Sequence, residues 1–204
     1  MAKVLVLYYS STGTNTALAK MAAEHAQAQG AEVRLRQVTE LAPDVVIDSK
    51  VEWRQNVEAT KEIAIATPED VIWAEAIVFS FPTRFGVMPS QMKQFIDTLG
   101  GVWAQGHTAH KVVTGLVSAN TVHGGQETTL LSLYYQMMHW GSIIVTPGFT
   151  SEAIAAVSNP YGISVTANEG NLEKPFHEDK EVVSQAINDM MTRIVNMTDK
   201  LNRD

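Results

Sequence analysis

The sequence contains no cysteine among its 204 residues. A chain without cysteine forms no disulfide, offers no thiolate nucleophile and holds no cysteine-ligated zinc or iron–sulfur cluster. Any redox chemistry must therefore come from a bound cofactor. His107 and His110 lie in one predicted loop, but no carboxylate or third histidine accompanies them at ligand spacing, so we assign no metal.

Long hydrophobic runs are also missing. The sequence has no stretch of eighteen apolar residues, and the apolar run 4–9 is too short for the core of a signal sequence. We therefore expect no membrane insertion and a cytoplasmic location. The net charge of −7 is spread along the chain, which disfavours nucleic acid as a partner.

Three common site motifs are absent. The sequence has no G-x-x-x-x-G-K-[ST], no G-x-G-x-x-G after a strand and no G-x-S-x-G. ATPases, ordinary dinucleotide-binding domains and α/β-hydrolases need these segments for phosphate binding or for a nucleophile. We therefore set these three classes aside.

The apolar pattern predicts alternating strands and helices. Strands are expected near 4–9, 32–38, 76–81, 111–118 and 142–146, with helices between them and a last helix over 180–201. This alternation predicts an α/β fold with a doubly wound, five-stranded parallel sheet and helices on both faces. We predict one domain, 1–204, with insertions at about 41–66 and 147–179. Apolar residues on these insertions, including Val45, Trp53 and Ile154, predict subunit contacts.

The most informative segment follows the first strand. Ser10-Ser11-Thr12-Gly13-Thr14-Asn15-Thr16 connects Tyr9 to a helix predicted over Ala17–Gln29. Unpaired amides and the dipole at a helix start attract an anion, so this order predicts a phosphate site. The alternative is a capped turn without a ligand, since Ser, Thr and Asn are common N-caps.

Two further polar segments follow the third and fourth strands, at 82–89 and 119–124. In a parallel sheet the carboxyl ends of the strands lie at one rim, so these segments should meet the first loop there.

Four segments together resemble a known family. The loop at 10–16 is similar to the phosphate loop of flavodoxins, and three later segments look like the WrbA family of NAD(P)H:quinone oxidoreductases: Pro82-Thr83-Arg84-Phe85-Gly86, Gly100-Gly101-Val102-Trp103-Ala104 and His123-Gly124-Gly125-Gln126-Glu127. The resemblance extends from residue 1 to about 165. It implies a flavodoxin-like sheet of order 2-1-3-4-5, bound FMN, and reduction of quinones by NADH or NADPH. It also implies a homotetramer, a dimer of dimers, whose sites are completed by neighbouring subunits.

The resemblance also assigns roles to residues. The FMN phosphate would be held by Ser10, Ser11, Thr12, Gly13, Thr14 and Asn15. The ring would be lined by Pro82, Thr83, Arg84, Phe85 and Gly86, and by a second loop of Ser118, Ala119, Asn120, Thr121, Val122, His123, Gly124 and Gly125. His139 matches the flavin-site histidine of the family and Trp103 the aromatic wall of the substrate pocket. Thr12 stands where members often carry an aromatic that touches the nicotinamide. No side chain is assigned as catalytic, because the flavin does the chemistry.

Each of these residues also has a purely structural interpretation. Arg84 is either a surface arginine or a charge that stabilises the reduced flavin. Phe85 and Trp103 could be core or interface aromatics, and His139 could cap the end of its helix. Gly124-Gly125 could be a flexible turn, although bare backbone also allows a flat ring to approach closely.

The function hypothesised is a ping-pong reaction in which NAD(P)H gives a hydride to FMN and leaves before a quinone takes two electrons. Two alternatives stay open: a flavodoxin-type one-electron carrier, and a flavin-binding protein whose main role is interaction with other proteins.

Overall fold

A computed structural model describes residues 1–168 and 171–202 of the chain. Its centre is a parallel sheet, and the strands are β1 (Lys3–Tyr8), β2 (Glu32–Gln37), β3 (Ala76–Pro82), β4 (Val112–Ala119), β5 (Ile143–Ile144) and β6 (Ile163–Thr166). The order β2-β1-β3-β4-β5 confirms the predicted 2-1-3-4-5 arrangement.

The sheet also has a sixth strand, β6, which is attached to β4 and was not predicted. β5 pairs with Val112 and Val113 at the beginning of β4, whereas β6 pairs with the four residues 116–119 at its end. Two short strands therefore share one edge of an eight-residue strand. The insertion predicted at 147–179 supplies the second of them, which places the chain after β6 at the carboxyl rim.

Nine helices are present in the described residues, and they cover both faces of the sheet. They are α1 (Thr14–Ala28), α2 (Asp44–Ile47), α3 (Val51–Thr60), α4 (Pro68–Trp73), α5 (Ser90–Asp97), α6 (Gly100–Ala104), α7 (Gln126–His139), α8 (Glu152–Ala156) and α9 (Lys180–Leu201). None of them combines the length and hydrophobicity needed to cross a bilayer.

The core consists of two layers, one on each side of the sheet. Along β3, Ala76 and Val78 face the layer formed with α1, α8 and α9, whereas Ile77, Phe79 and Phe81 face the layer formed with α4 to α7. Successive side chains of a strand point to opposite faces, so a strand that is apolar throughout is buried on both. All seven residues of β3 are buried.

The two insertions are more ordered than the sequence indicated. The first contains α2 and α3, and the second contains α8 and β6. Val45 is exposed, as expected for a subunit contact, but Ile154 is buried in the core and the indole of Trp53 donates a hydrogen bond to Glu40. The proposed role in subunit contacts is therefore wrong for Ile154, because it fills the core beneath α8.

Candidate functional site

The loop after β1 is stabilised by its own side chains. Ser10 Oγ accepts a 3.0 Å hydrogen bond from the Gly13 amide, which closes the turn. Gly13 has φ = +97°, and a Cβ there would lie 2.5 Å from Leu172 Cδ2. Glycine is therefore required by the left-handed backbone, whereas the end of the partly exposed Leu172 side chain can shift.

Helix α1 begins directly after Gly13, three residues earlier than predicted. The Ala17 amide donates to the Gly13 carbonyl, but the amides of Thr14, Asn15 and Thr16 have no acceptor among the described residues. Three free N–H groups and the positive end of the helix dipole form an anion-binding cradle without a cationic side chain. This geometry fits the phosphate site predicted at residues 10–15.

Three side chains of this segment hold the loop rather than face a ligand. The Thr14 hydroxyl donates to the Pro175 carbonyl at 2.8 Å, and Thr16 Oγ1 donates to Asn56 Oδ1 at 2.9 Å. Asn15 is buried between the ends of two strands, where Nδ2 donates to Ser80 Oγ and Oδ1 accepts from Ser118 Oγ. The hydroxyls of Ser10, Ser11 and Thr12 and the backbone amides therefore remain for an anion.

The segment after β3 is a tight hairpin turn. The amide of Arg84 donates to the Val87 carbonyl at 2.8 Å, and the amide of Val87 donates back at 3.1 Å. Phe85 and Gly86 at the tip have φ of 53° and 83°, the signs required by a type I′ turn. The ring of Phe85 is fully exposed. A phenylalanine in this strained and exposed position contributes little to folding, and this makes it a candidate for contact with a ligand or another chain.

Specific contacts gather the three loops at one rim. Arg84 Nη2 lies 3.4 Å from Ser11 Oγ, which joins the β3 turn to the first loop. Thr83 Oγ1 lies 2.7 Å from Thr129 Oγ1, and the Thr83 amide donates to the Ser118 carbonyl at 2.8 Å. The turn is thereby joined to α7 and to the end of β4. Pro82 is buried at the end of β3.

The third loop, residues 120–125, follows β4. Ser118 and Ala119 are buried within the strand, whereas Asn120, Thr121, Val122 and His123 are exposed. Gln126 Nε2 donates to the Thr121 carbonyl at 2.9 Å, and a Cβ on Gly125 would lie 3.1 Å from Gly86 Cα. This loop therefore contacts the β3 turn. It also borders a cavity of about 370 Å³ that extends to β6.

Trp103 and His139 lie together but away from this rim. Trp103 Nε1 donates to the His139 carbonyl at 2.9 Å, and the two residues line a cleft of about 300 Å³ with Gln136 and Trp140. His139 is the last residue of α7, thirteen residues after Gln126. At a rise of 1.5 Å per residue, that distance along the helix is about 20 Å. One chain therefore does not bring Trp103 or His139 to its own three loops.

Other contacts of the loop were missed by the sequence analysis. Asn56 of α3 binds both Thr16 and the Ser10 carbonyl, and the segment after β6 reaches the loop through Leu172 and Pro175. These residues are separated from the loop by forty or more positions and belong to no local motif. A signal was present only in the insertion itself, since long insertions are often functional.

Tyr9 is the last residue before the loop, and its phenol stays protonated. Burial raises the pKa of Tyr9, and the neighbouring carboxylate of Glu40 raises this pKa further. The protonated phenol donates to Glu40 Oε2 at 3.0 Å and accepts from Gln91 Nε2 at 2.9 Å. Among the described residues, no group of three or more His, Cys, Asp or Glu side chains could hold a metal ion.

The sequence is similar to those of known reductases and dehydrogenases. Residues 2–154 match the model of the NADPH-dependent FMN reductase family. The chain is 55% identical over 167 residues to an NAD(P)H dehydrogenase (quinone) of Deinococcus radiodurans, covering 81% of this chain and 84% of that protein. It is 39% identical over 180 residues to the Brucella abortus protein of that name, covering 86% and 88%.

Solved structures share the fold at low identity. A flavodoxin, WrbA-like protein from Agrobacterium tumefaciens superposes with a TM-score of 0.67 at 18% identity, covering 98% of this chain and 99% of that one. A flavodoxin from the domain Archaea superposes with a TM-score of 0.61 at 14% identity, covering 97% and 99%. By its sequence, the chain belongs to the NADPH-dependent FMN reductase family, and its similar relatives include the NAD(P)H dehydrogenase (quinone) proteins.

Proposed function

We propose that this protein is an FMN-dependent NAD(P)H:quinone oxidoreductase that transfers two electrons from NADH or NADPH to a quinone. The observation that carries the proposal is the contact between Arg84 and Ser11, because it joins the anion cradle of α1 to the exposed turn after β3. The names of the relatives, at up to 55% identity, support the same reaction.

The residues present fit FMN. We assign the phosphate to the free amides at the start of α1 and to the hydroxyls of Ser10, Ser11 and Thr12. The β3 turn and the loop 120–125 would hold the ring, and the close packing of Gly125 against Gly86 brings these two segments together. Arg84 supplies the positive charge of the rim. When bound, FMN supplies the redox chemistry, accepting a hydride from NAD(P)H and passing two electrons to the quinone.

The protein positions the substrates against the cofactor in this reaction. We propose that the coenzyme and the quinone bind at the same place, one after the other, which makes the mechanism ping-pong. The turn and the loop 120–125 would orient the substrate against the cofactor, and the exposed ring of Phe85 is free to pack against a bound substrate. Thr12, which is half-exposed at the first loop, would border the nicotinamide.

We further propose that the site is completed in a homotetramer. Trp103 and His139 lie about 20 Å along α7 from the loops of their own chain, so they can wall the substrate pocket only when a neighbouring copy supplies them. Leu131, Tyr135 and Met138 form an exposed apolar stripe on the same helix, which favours contact with another chain.

We also propose that the protein has no nucleic-acid partner and that it is located in the cytoplasm. The net charge of −7 disfavours nucleic acid as a partner. A cytoplasmic location is proposed because the reductant, a nicotinamide coenzyme, is available there, and fractionation of cells tests this.

Rapid mixing tests the reaction. FMN-loaded protein is mixed without oxygen with NADH or NADPH and then with benzoquinone. We expect direct oxidation of the coenzyme, followed by reoxidation of the flavin by the quinone. In steady-state assays, double-reciprocal plots of initial rate against coenzyme concentration should give parallel lines at different fixed quinone concentrations. A protein that oxidises neither coenzyme without a second protein would be an electron carrier, and this result contradicts the proposal.

A further inference from the structure

Asn56 binds both ends of the phosphate loop. It lies on α3, within the insertion at 41–66, and only 4% of its surface is exposed. Its Nδ2 donates a 2.9 Å hydrogen bond to the carbonyl of Ser10, and its Oδ1 accepts a 2.9 Å hydrogen bond from Thr16 Oγ1. Ser10 opens the loop and Thr16 lies in the first turn of α1, so one buried amide spans the whole segment.

The orientation of this amide is fixed by its partners. A carbonyl only accepts, so Nδ2 must face Ser10, and the hydroxyl of Thr16 then donates to Oδ1. A Cβ on Gly13 would lie 3.6 Å from Asn56 Oδ1, which places the amide directly behind the turn. Asn56 therefore supports the loop from the protein side and leaves its free amides available.

Helix α3 is itself anchored next to the loop. Trp53, three residues before Asn56, donates from Nε1 to Glu40 Oε2 at 3.0 Å, and the same oxygen accepts the hydroxyl of Tyr9. One turn after Asn56, the carbonyl of Thr60 accepts from Gln37 Nε2 at 2.9 Å. These contacts fix α3 against β2 and the end of β1, so the position of Asn56 is set independently of the loop.

We propose that Asn56 is a positioning residue for the cofactor phosphate, and that the insertion at 41–66 serves to preorganise the phosphate loop. A loop held in its binding conformation loses less conformational entropy when the anion binds. The effect should be confined to the phosphate, because the side-chain hydrogen bonds of Asn56 reach the ends of this loop and not the turn after β3 or the loop 120–125. The inference rests on the proposed placement of the FMN phosphate in this loop.

Riboflavin is the probe that separates this role from general stability, because it has the ring of FMN without the phosphate. The dissociation constants of FMN and riboflavin are measured by quenching of flavin fluorescence, for the wild-type protein and for Asn56→Ala. We expect FMN affinity to fall about tenfold, as for the loss of two hydrogen bonds, and riboflavin affinity to stay within about twofold. Asn56→Asp should lose more FMN affinity, since it replaces the donor to Ser10 by a negative charge near the phosphate.

Thr60→Ala is the matched control, because Thr60 is buried on the same helix and its hydroxyl donates to the carbonyl of Asn56 rather than to the loop. It should leave the ratio of FMN to riboflavin affinity unchanged. If Asn56→Ala does not fold, Thr16→Val removes the donor to Oδ1 at nearly constant volume and should lower FMN affinity selectively.

The flavin affinities distinguish failure of the proposed phosphate site from failure of the role of Asn56. A wild-type protein that binds both flavins equally would overturn the proposed phosphate site. A wild-type protein that prefers FMN, together with variants that keep this preference, would overturn the role of Asn56 alone.

Discussion

The hydroxyl of Ser118, at the end of β4, donates a 2.6 Å hydrogen bond to Oδ1 of Asn15, in the first turn of α1. Asn15 Nδ2 in turn donates to Ser80 Oγ at the end of β3, at 3.1 Å. One buried amide therefore fixes the phosphate loop relative to the two strands whose loops form the rest of the candidate site. The rim is preorganised by side chains that do not themselves face a ligand.

Asn15→Ala should weaken both the fold and the site. The change leaves the buried hydroxyls of Ser80 and Ser118 without the amide, and we expect the free energy of unfolding to fall by about 2 kcal/mol. Urea denaturation followed by circular dichroism measures this. Asn188→Ala, on the half-exposed side of α9, should cost less than about 0.5 kcal/mol. Equal losses in the two variants would show that the amide of Asn15 does not hold the strands.

Asp70 should make the protein sensitive to acid. Burial raises the pKa of this carboxyl, but hydrogen bonds from the Thr67 amide, Arg34 and Arg36 outweigh it, so the pKa lies below its usual value. A lowered pKa in the folded state means that the stabilisation is present above the unfolded pKa of about 3.9 and is lost as the pH falls further. Asp70→Asn should therefore lose about 3 kcal/mol of unfolding free energy at pH 7 and less at lower pH.

The control for Asp70 is Asp97→Asn, which breaks an exposed pair with Lys93. Exposed pairs contribute about 0.5 kcal/mol, so this variant should unfold almost as the wild type does. A loss for Asp70→Asn that is equally large at pH 3 and pH 7 would mean that its charge is not responsible.

Lys111 predicts a stability change at alkaline pH. Its side chain donates to the carbonyls of Ala74 and Ile72 near the end of α4, and burial lowers its pKa to about 8. The unfolded chain holds this proton up to about pH 10.4, so stability should rise as the pH increases from about 8 to 10, by at most about 1.4 kcal/mol per pH unit. Above pH 10 the raised pKa of Tyr8, about 12, acts in the opposite direction.

Lys111→Met removes the titrating group and should abolish this rise, whereas Lys93→Met, at an exposed position, should keep it. Urea denaturation at pH 7.5, 8.5 and 9.5 measures the slope, at pH values chosen to span the expected window. The same slope in Lys111→Met as in the wild type would assign the effect to another group.

The fold was largely predictable because its central strands are apolar throughout. Ile77, Phe79 and Phe81 contact one core layer and their neighbours the other, so β3 is recognisable without its partners. β6 was missed because Ile163–Thr166 is short and alternates apolar with hydroxyl residues, and its pairing with β4 is a tertiary contact. α3 was missed because its buried positions are Asn56 and Thr60, whose polar side chains give no hydrophobic pattern.

The candidate site was also predictable only in part. The order of the strands brings the loops after β1, β3 and β4 to one rim, and the sequence analysis predicted this meeting. The support given by Asn56 and Pro175 could not be predicted, because it joins segments more than forty residues apart through single hydrogen bonds. The placement of Trp103 and His139 at the far end of α7 could not be predicted, because it depends on the length of that helix and on a hydrogen bond between segments 36 residues apart.

Mixed oligomers test whether subunits share a site. Gly13→Val should lose FMN, because a β-branched residue rarely adopts the φ of +97° that the loop needs at this position. His139→Ala should bind FMN but turn over about tenfold more slowly. In hybrids of the two variants, the intact phosphate loop of a His139→Ala chain can be completed by the intact His139 of a Gly13→Val chain. The activity of the hybrids should therefore exceed the average of the two parents. Activity equal to that average would show that His139 does not complete the site of a neighbouring chain. Circular dichroism checks that each parent is folded.

Titration of the purified protein with FMN in a calorimeter tests the central claim most directly. The account predicts saturable binding of one FMN per chain, with Gly124→Val binding much more weakly because its side chain would collide with Ala119 and the Thr121 carbonyl. Absence of heat on titration, together with a protein that is colourless and stays so after incubation with FMN, would contradict it.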